Sequence, residues 1–259
     1  MPVTDPTTGT RVDEIADGIY RISTPVPPSV VPGGFSFNQY LVVDDEPLLF
    51  HSGQRGLFPA VREAIETVLP VARLRHLAFS HFESDECGSV NLLLAAAPDA
   101  APVCGQVNAL INADAWDRPP HALADGEALP LGRHVVRWLD TPHLPHGWEC
   151  GYLVEERTGT LLCGDLFTQP GADPKPLTRA DVLGPSEAMR ARLDYFSHTS
   201  RAPELLERLA RLAPRTLACM HGSAWEGDGA AMLRALAGVL VPEPHPPRGE
   251  AALSGEAES

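Results

Sequence analysis

The chain has 259 residues, 44% of them hydrophobic, and 34 acidic against 20 basic side chains give it a formal net charge of −14. That length and apolar content supply one large core, and the acidic balance excludes a nucleic-acid partner, which needs a clustered basic surface. No apolar run approaches the roughly 20 residues that cross a bilayer, and the polar, proline-containing residues 1–10 are not a secretory leader, so the expectation is no membrane association and a cytoplasmic protein. Five scattered cysteines without a Cys-x-x-Cys pair suggest neither a disulfide framework nor a zinc knuckle, and read as reduced thiols.

Residues 1–10 and 241–259 are rich in Pro, Gly, Glu and Ser and poor in large apolar side chains, the composition of flexible or disordered ends; the folded body is expected over 11–240. Within it, short apolar runs predict strands at 18–22, 38–43, 47–50, 74–79 and 101–104, then at 134–139, 151–155, 160–163 and 215–219. Helical periodicity appears at 58–69, 89–96, 187–195, 203–212 and 230–240. The clearest is 203–212, with Leu205, Leu209 and Leu212 on one stripe and a proline at each end. Residues 170–185 are too interrupted by Pro and Gly for regular structure and too long for a simple connection, which suggests a lid or binding loop. Strands in meanders separated by helical crossings predict an α/β fold with two sheets.

Chemistry concentrates after the strand that ends at Phe79. There the chain reads Ser80-His81-Phe82-Glu83-Ser84-Asp85-Glu86-Cys87-Gly88, with four potential metal ligands in six residues. Alone, this is also the reading of a solvated acidic turn feeding a helix N-terminus, where carboxylates favour the dipole. Three further strand ends argue for a site. His143 and His146 lie in a Pro- and Gly-punctuated loop after 135–139, Asp165 follows 160–163 through Gly164, and His221-Gly222 follows 216–219. Four strand ends each delivering His or Asp describe a site at one edge of a sheet sandwich.

On these residues the chain resembles the metallo-β-lactamase superfamily, whose hydrolases carry His-x-His-x-Asp-His followed by a His, a bridging Asp and a final His. The resemblance runs from Asn38-Gln-Tyr-Leu-Val to His221-Gly222 and implies an αββα sandwich of two mixed β-sheets flanked by helices. Glu83, at the second position of the motif, is similar to the His-x-Glu-x-Asp-His of the flavodiiron and related oxygen-binding diiron proteins. His146-Gly-Trp-Glu and Leu161-Leu-Cys-Gly-Asp165 look like their third ligand loop and bridging aspartate. The resemblance implies one metal held by His81, Glu83 and His146, a second by Asp85 and His221, and Asp165 between them.

Glu86 stands where the family has histidine; it reads as a further ligand, an acceptor behind the ligands or a solvent-facing carboxylate at a helix start. His51 stands where the superfamily usually has a supporting Asp, and no flavodoxin-like domain follows His221, so the expectation is a chain without its own flavin. Four carboxylates against three imidazoles form a hard donor set that favours two iron ions, with zinc or manganese as the alternative. The implied activity is binding or reduction of dioxygen or nitric oxide, or oxidation of a small molecule by dioxygen, with an external electron donor and a homodimer as in the relatives. A zinc-type hydrolase of an ester, thioester, lactone or phosphodiester, working through a metal-bridging hydroxide, is the second reading. His143 reads as loop structure or as support for the ligands rather than as a ligand, Cys87 as a thiol whose pKa a helix start could lower, His198 as a residue that could line the pocket, and Trp148, Phe82 and Phe167 as aromatic walls.

Overall fold

The computed structural model of the chain describes residues 3–198 and 200–240. Their order is β1 Val3–Asp5, β2 Thr10–Ala16, β3 Ile19–Val26, β4 Phe35–Val42, β5 Leu48–Phe50, α1 Phe58–Glu66, β6 His76–Ala78, α2 Ser84–Cys87, α3 Val90–Ala96, β7 Ala101–Gly105, α4 Gln106–Asn112, β8 His121–Leu123 and β9 Ala128–Pro130. There follow β10 Val135–Asp140, β11 Gly151–Glu155, β12 Thr160–Leu162, β13 Leu177–Thr178, α5 Leu183–Leu193, α6 Ala202–Ala210, β14 Thr216–Ala218, β15 Ala224–Glu226 and α7 Gly229–Leu240. The first sheet has the order β1-β2-β3-β4-β5-β6-β7-β8 and the second β13-β15-β14-β12-β11-β10-β9. Both are mixed: in the first, β1 to β5 pair antiparallel and β5 to β8 parallel. In the second, the parallel pairs are β12 with β14 and β13 with β15.

Successive side chains of a strand point to opposite faces, and the core is divided accordingly. Tyr40, Val42, Leu48 and Phe50 face inward and meet Val136, Trp138, Leu153 and Leu162 of the second sheet. Their neighbours Leu41 and Leu49 face outward, under Val61, Ala64 and Ile65 of α1 and Leu93 and Leu94 of α3. On the far side Tyr152, Val154, Leu161 and Leu217 lie under Leu205, Leu206 and Leu209 of α6 and Leu233 and Leu236 of α7. The result is the expected four-layer αββα sandwich.

Several boundaries differ from the sequence expectation. Residues 3–5, read as part of a flexible end, pair with β2, which itself begins at Thr10. The segment 170–185 holds a short strand, β13, and the first turn of α5; Pro185 is compatible with a helix there because the first-turn N–H groups have no intrahelical acceptor. Leu212 lies past the end of α6 and is exposed, so the buried stripe is Leu205, Leu206 and Leu209. The tail read as disordered, 241–259, lies outside the described residues.

Candidate metal centre

The C-terminal ends of β6, β10, β12 and β14 open onto the same edge of the sandwich, and the loops leaving them carry the candidate ligands. After β6 the chain turns through His81 and Glu83 into the single helical turn α2, which seats Asp85 and Glu86. After β12, Gly164 adopts φ +49, a left-handed turn, and a Cβ at that position would stand 3.0 Å from the Ser80 hydroxyl. This tight turn delivers Asp165 to the centre.

Asp165 lies between two groups of donors. Its Oδ2 is 3.4 Å from His146 Nε2 and 3.6 Å from His81 Nε2, while Oδ1 is 3.3 Å from His221 Nε2. Glu83 Oε2 lies 3.1 Å from His81 Nε2 and 3.0 Å from His146 Nε2. His221 Nε2 lies 3.5 Å from Asp85 Oδ2, and Glu86 Oε2 lies 3.9 Å from His81 Nε2. The cluster resolves into His81, Glu83, His146 and Asp165 on one side and Asp85, Glu86 and His221 on the other, with the donor atoms of each group within 4.8 Å of one another.

Two observations test whether these residues fit metal ions. The first is the orientation of the imidazoles. His146 Nδ1–H donates to the Tyr195 carbonyl at 2.8 Å and His221 Nδ1–H to the Ser36 carbonyl at 2.9 Å, since a carbonyl can only accept. His81 Nδ1 lies 2.9 Å from Ser80 Oγ. With a proton held on the outer nitrogen, each Nε2 is turned inward and gives its lone pair to a metal once its own proton has left, the arrangement in which histidine binds a metal. The second is what the carboxylates lack. Both oxygens of Glu86, which is fully buried, have no hydrogen-bond partner, and Asp165 Oδ1 faces His221 Nε2 at 3.3 Å without a well-formed bond. Donors about 2.1 Å from one cation stand about 3.0–3.4 Å from each other; the contacts of Glu83 with His81 and His146 and of Asp165 with His146 and His221 fall in that range, and those of Asp165 with His81 and of Asp85 with His221 lie just above it, at 3.6 and 3.5 Å. The residues fit.

The electrostatics carry the same signature. Burial, compounded by Asp165 and Asp85, pushes Glu86 well above the ordinary carboxylate range, and burial also raises Asp85. Burial acts upward on Asp165 too, but the surrounding imidazoles of His221, His81 and His146 hold it below the usual range. Hydrogen bonds from His146 and His81 bring Glu83 down to about 2. A cation would satisfy the carboxylates that burial otherwise disfavours.

Behind the ligands runs a buried chain of contacts. His51 Nε2 lies 3.1 Å from Ser80 Oγ and its Nδ1 3.0 Å from Met220 Sδ; burial brings the His51 pKa down to about 3, so its ring is neutral. The directions follow: His81 N–H to Ser80, Ser80 O–H to His51, His51 N–H to the thioether. On the opposite flank, Asn38 Nδ2 donates to the carbonyls of Cys219 and Gly222, Tyr40 OH to Cys219 and Arg21 Nη2 to Gly222, while Ser36 Oγ accepts from Gly222 N. Phe35 stacks on His221 with ring centroids 4.3 Å apart. The open side is a cleft of about 200 Å³ bounded by Phe35, Thr168, Leu193 and Tyr195 along with the candidate ligands.

Other sequence expectations fare differently. His143 N donates to the Gly147 carbonyl at φ +62, so the residue is loop structure. Cys87 is buried and burial pushes its thiol up to about 12, the reverse of an activated cysteine. Phe167 is buried, but Phe82 and Trp148 are 46% and 58% exposed and do not line the cleft. His198 is exposed and packs against His143 with ring centroids 4.0 Å apart and the planes tilted by 41°. The sequence did not reveal Ser36, Ser80, Met220 or the Tyr195 carbonyl; the hydroxyl directly preceding His81 was the one signal available.

Comparison with known proteins adds a family to this geometry. The model of the ODP family beta lactamases matches residues 35–222. The chain belongs to that family. It is 24% identical over 208 residues to a rubredoxin-oxygen oxidoreductase of Megalodesulfovibrio gigas, covering 76% of this chain and 50% of that protein. To a nitric oxide reductase of Moorella thermoacetica it is 23% identical over 215 residues, covering 79% and 53%. A hydroxyacylglutathione hydrolase of Rhizobium johnstonii is 27% identical over 169 residues, covering 60% and 62%. The chain thus spans about half the length of the first two relatives. The fold matches the solved rubredoxin oxygen:oxidoreductase of Desulfovibrio gigas with a TM-score of 0.76 at 19% identity, over 88% of this chain and 62% of that one. No helix among the described residues is long and apolar enough to cross a membrane.

Proposed function

We propose that the chain is the catalytic module of a non-haem diiron oxidoreductase that reduces dioxygen or nitric oxide with electrons from a separate donor. The observation that carries this reading is the convergence of three inward-facing Nε2 atoms, each with its proton fixed on the outer nitrogen, and four carboxylates around Asp165. His81, Glu83 and His146 would hold one ion, Asp85, Glu86 and His221 the other, and Asp165 both. Iron bound there would supply one-electron redox chemistry to a small ligand. The oxygen-rich donor set favours iron or manganese over zinc, and relatives named for oxygen and nitric oxide reduction support the same choice.

The chain's own residues do three things in this scheme. The Ser80–His51 contacts, the Tyr195 carbonyl and the Ser36 carbonyl fix the tautomers and the ring planes. The sandwich closes the inner side, since His81, Glu86 and His221 are buried. The cleft between Leu193, Thr168 and Phe35 gives a small ligand access to Glu83, Asp85, His146, Asp165 and His221.

Metal analysis of protein made with iron and zinc both supplied, followed by anaerobic reduction and exposure to air or nitric oxide, tests the reading. Retained iron, oxygen-dependent absorption changes and ligand consumption are expected. Zinc alone, with no spectral change, overturns it in favour of hydrolysis, the activity for which the Rhizobium relative is named.

A further inference from the structure

His51 follows β5 with its backbone at φ +67, a left-handed conformation uncommon outside glycine. Its ring is buried and stacks on Phe50 with centroids 4.1 Å apart, and its backbone N–H donates to the Ala78 carbonyl of the strand that leads to His81. What the ring touches settles its protons. Met220 Sδ, 3.0 Å from Nδ1, accepts but cannot donate, so the proton is on Nδ1 and Nε2 accepts from the Ser80 hydroxyl 3.1 Å away. Ser80 Oγ in turn accepts from His81 Nδ1 at 2.9 Å. The row ends in a thioether, and burial keeps His51 from protonating, so every member behind His81 is uncharged. The other two imidazoles likewise donate to uncharged acceptors, the carbonyls of Tyr195 and Ser36.

We infer that His51 is a neutral prop that acts through Ser80 and His81 to keep the ion on the His81 side at a high reduction potential, which fits the centre to an electron donor of comparatively high potential. The inference rests on the diiron reading proposed above. A carboxylate behind a metal-bound imidazole makes that imidazole a stronger donor. Negative charge near an ion favours the ferric state over the ferrous one, because the ferric state carries the larger positive charge. A neutral support withholds that bias: it orients the ring and adds affinity for both states alike. Hydrogen bonding and charge behind the ligands are among the levers by which a protein sets an iron potential. His51 is thus a positioning residue, and its lack of charge is the property that matters.

The test uses the full chain loaded with iron, its iron content measured first and its midpoint potentials then read in an anaerobic redox titration. His51→Glu puts a carboxylate where Nε2 stands, and the cations beyond it keep that carboxylate ionised. Ferric over ferrous binding should gain roughly tenfold, a potential about 59 mV lower, with iron content unchanged. His51→Gln, matched to it in shape but neutral, should leave the potential at the parent value, so the difference between the two variants reads charge alone. Equal shifts in both, or none in His51→Glu, overturn the inference and leave the diiron reading standing. If His51→Glu retains no iron, Ser80→Ala decides. Loss of a neutral prop weakens both states alike and leaves the potential in place, whereas a rise shows that the native support carries negative charge and overturns the inference. An unmodified chain that takes up no iron overturns both.

Discussion

His221 and His146 face the same carboxylate from two sides, Nε2 to oxygen at 3.3 and 3.4 Å, yet the molecule holds them differently. His221 leaves a short strand whose following carbonyls are gripped by Asn38, Tyr40 and Arg21 from the other sheet, and its ring is covered by Phe35. His146 sits on a loop, with a side chain 25% exposed, and its outer nitrogen is held by one carbonyl, that of Tyr195, just past the left-handed Asp194 that ends α5. One side is fixed by the meeting of two sheets and the other by loop against loop. The lesson is that rigidity in this centre comes from strand pairing across the sandwich, and that adjustment, where a ligand enters, is left to connections at its rim.

The largest effect removes the residue that both sides share. Asp165→Ala should abolish binding of both ions while leaving the far-ultraviolet spectrum unchanged; an alanine variant that still binds two would mean that the two sides are independent. Next comes the clamp. Asn38→Ala removes donors to two buried carbonyls and should cost about 2–3 kcal/mol in chemical denaturation, and should weaken metal on the His221 side more than on the His146 side. Equal weakening would erase the contrast between the two histidines.

A control at the other end of the same sheet sharpens it. Glu155 is buried and accepts bonds from Arg157 N, Thr158 N and Thr158 Oγ1 beside His134. Although burial acts upward, these bonds bring its pKa below the ordinary 4.5. A depressed carboxylate contributes stability above its unfolded pKa and loses it as the pH falls through the folded one. Glu155→Gln should therefore destabilise by about 1–2 kcal/mol at pH 7, with the gap to the parent chain closing below pH 4.5 and metal content unaltered. The smallest effect is expected from Ser80→Ala, which cuts the chain from His81 to His51: roughly tenfold weaker metal binding on the His81 side, read by competition with a chelator, with little change in melting temperature.

Much of this arrangement could be read from the sequence where side-chain chemistry marks it. The runs that became β4, β5 and β11 announce themselves as short apolar stretches buried largely on both faces, and α6 by leucines recurring every third to fourth residue. Strands of two or three residues, such as β8, β9, β13 and β15, give periodicity nothing to act on, and α4 turns Val107, Leu110 and Ile111 outward, so its apolar residues mark no core face. In the site, His81, Asp85, His146, Asp165 and His221 were legible because each follows a strand and has no bland reason to converge with the others. The supports were not, because Ser36 and Tyr195 act through carbonyls that any residue possesses. His51 was visible only as a departure from a pattern, and its partner Met220 looked like core.

The clamp on the last strand has a consequence for how the chain matures. Arg21 and Gly222 are 201 residues apart and Asn38 and Gly222 184, so the contacts that seat His221 close loops nearly as long as the folded body itself. On a ribosome the first sheet and its acidic loop emerge well before residue 221, and contacts of such separation are the slowest to form. Until then Glu86 and Asp85 have no imidazole facing them from that side. Full metal capture on the His221 side therefore reports completion of the fold, and a chain stalled before β14 would present an acidic loop without the imidazole that completes that side.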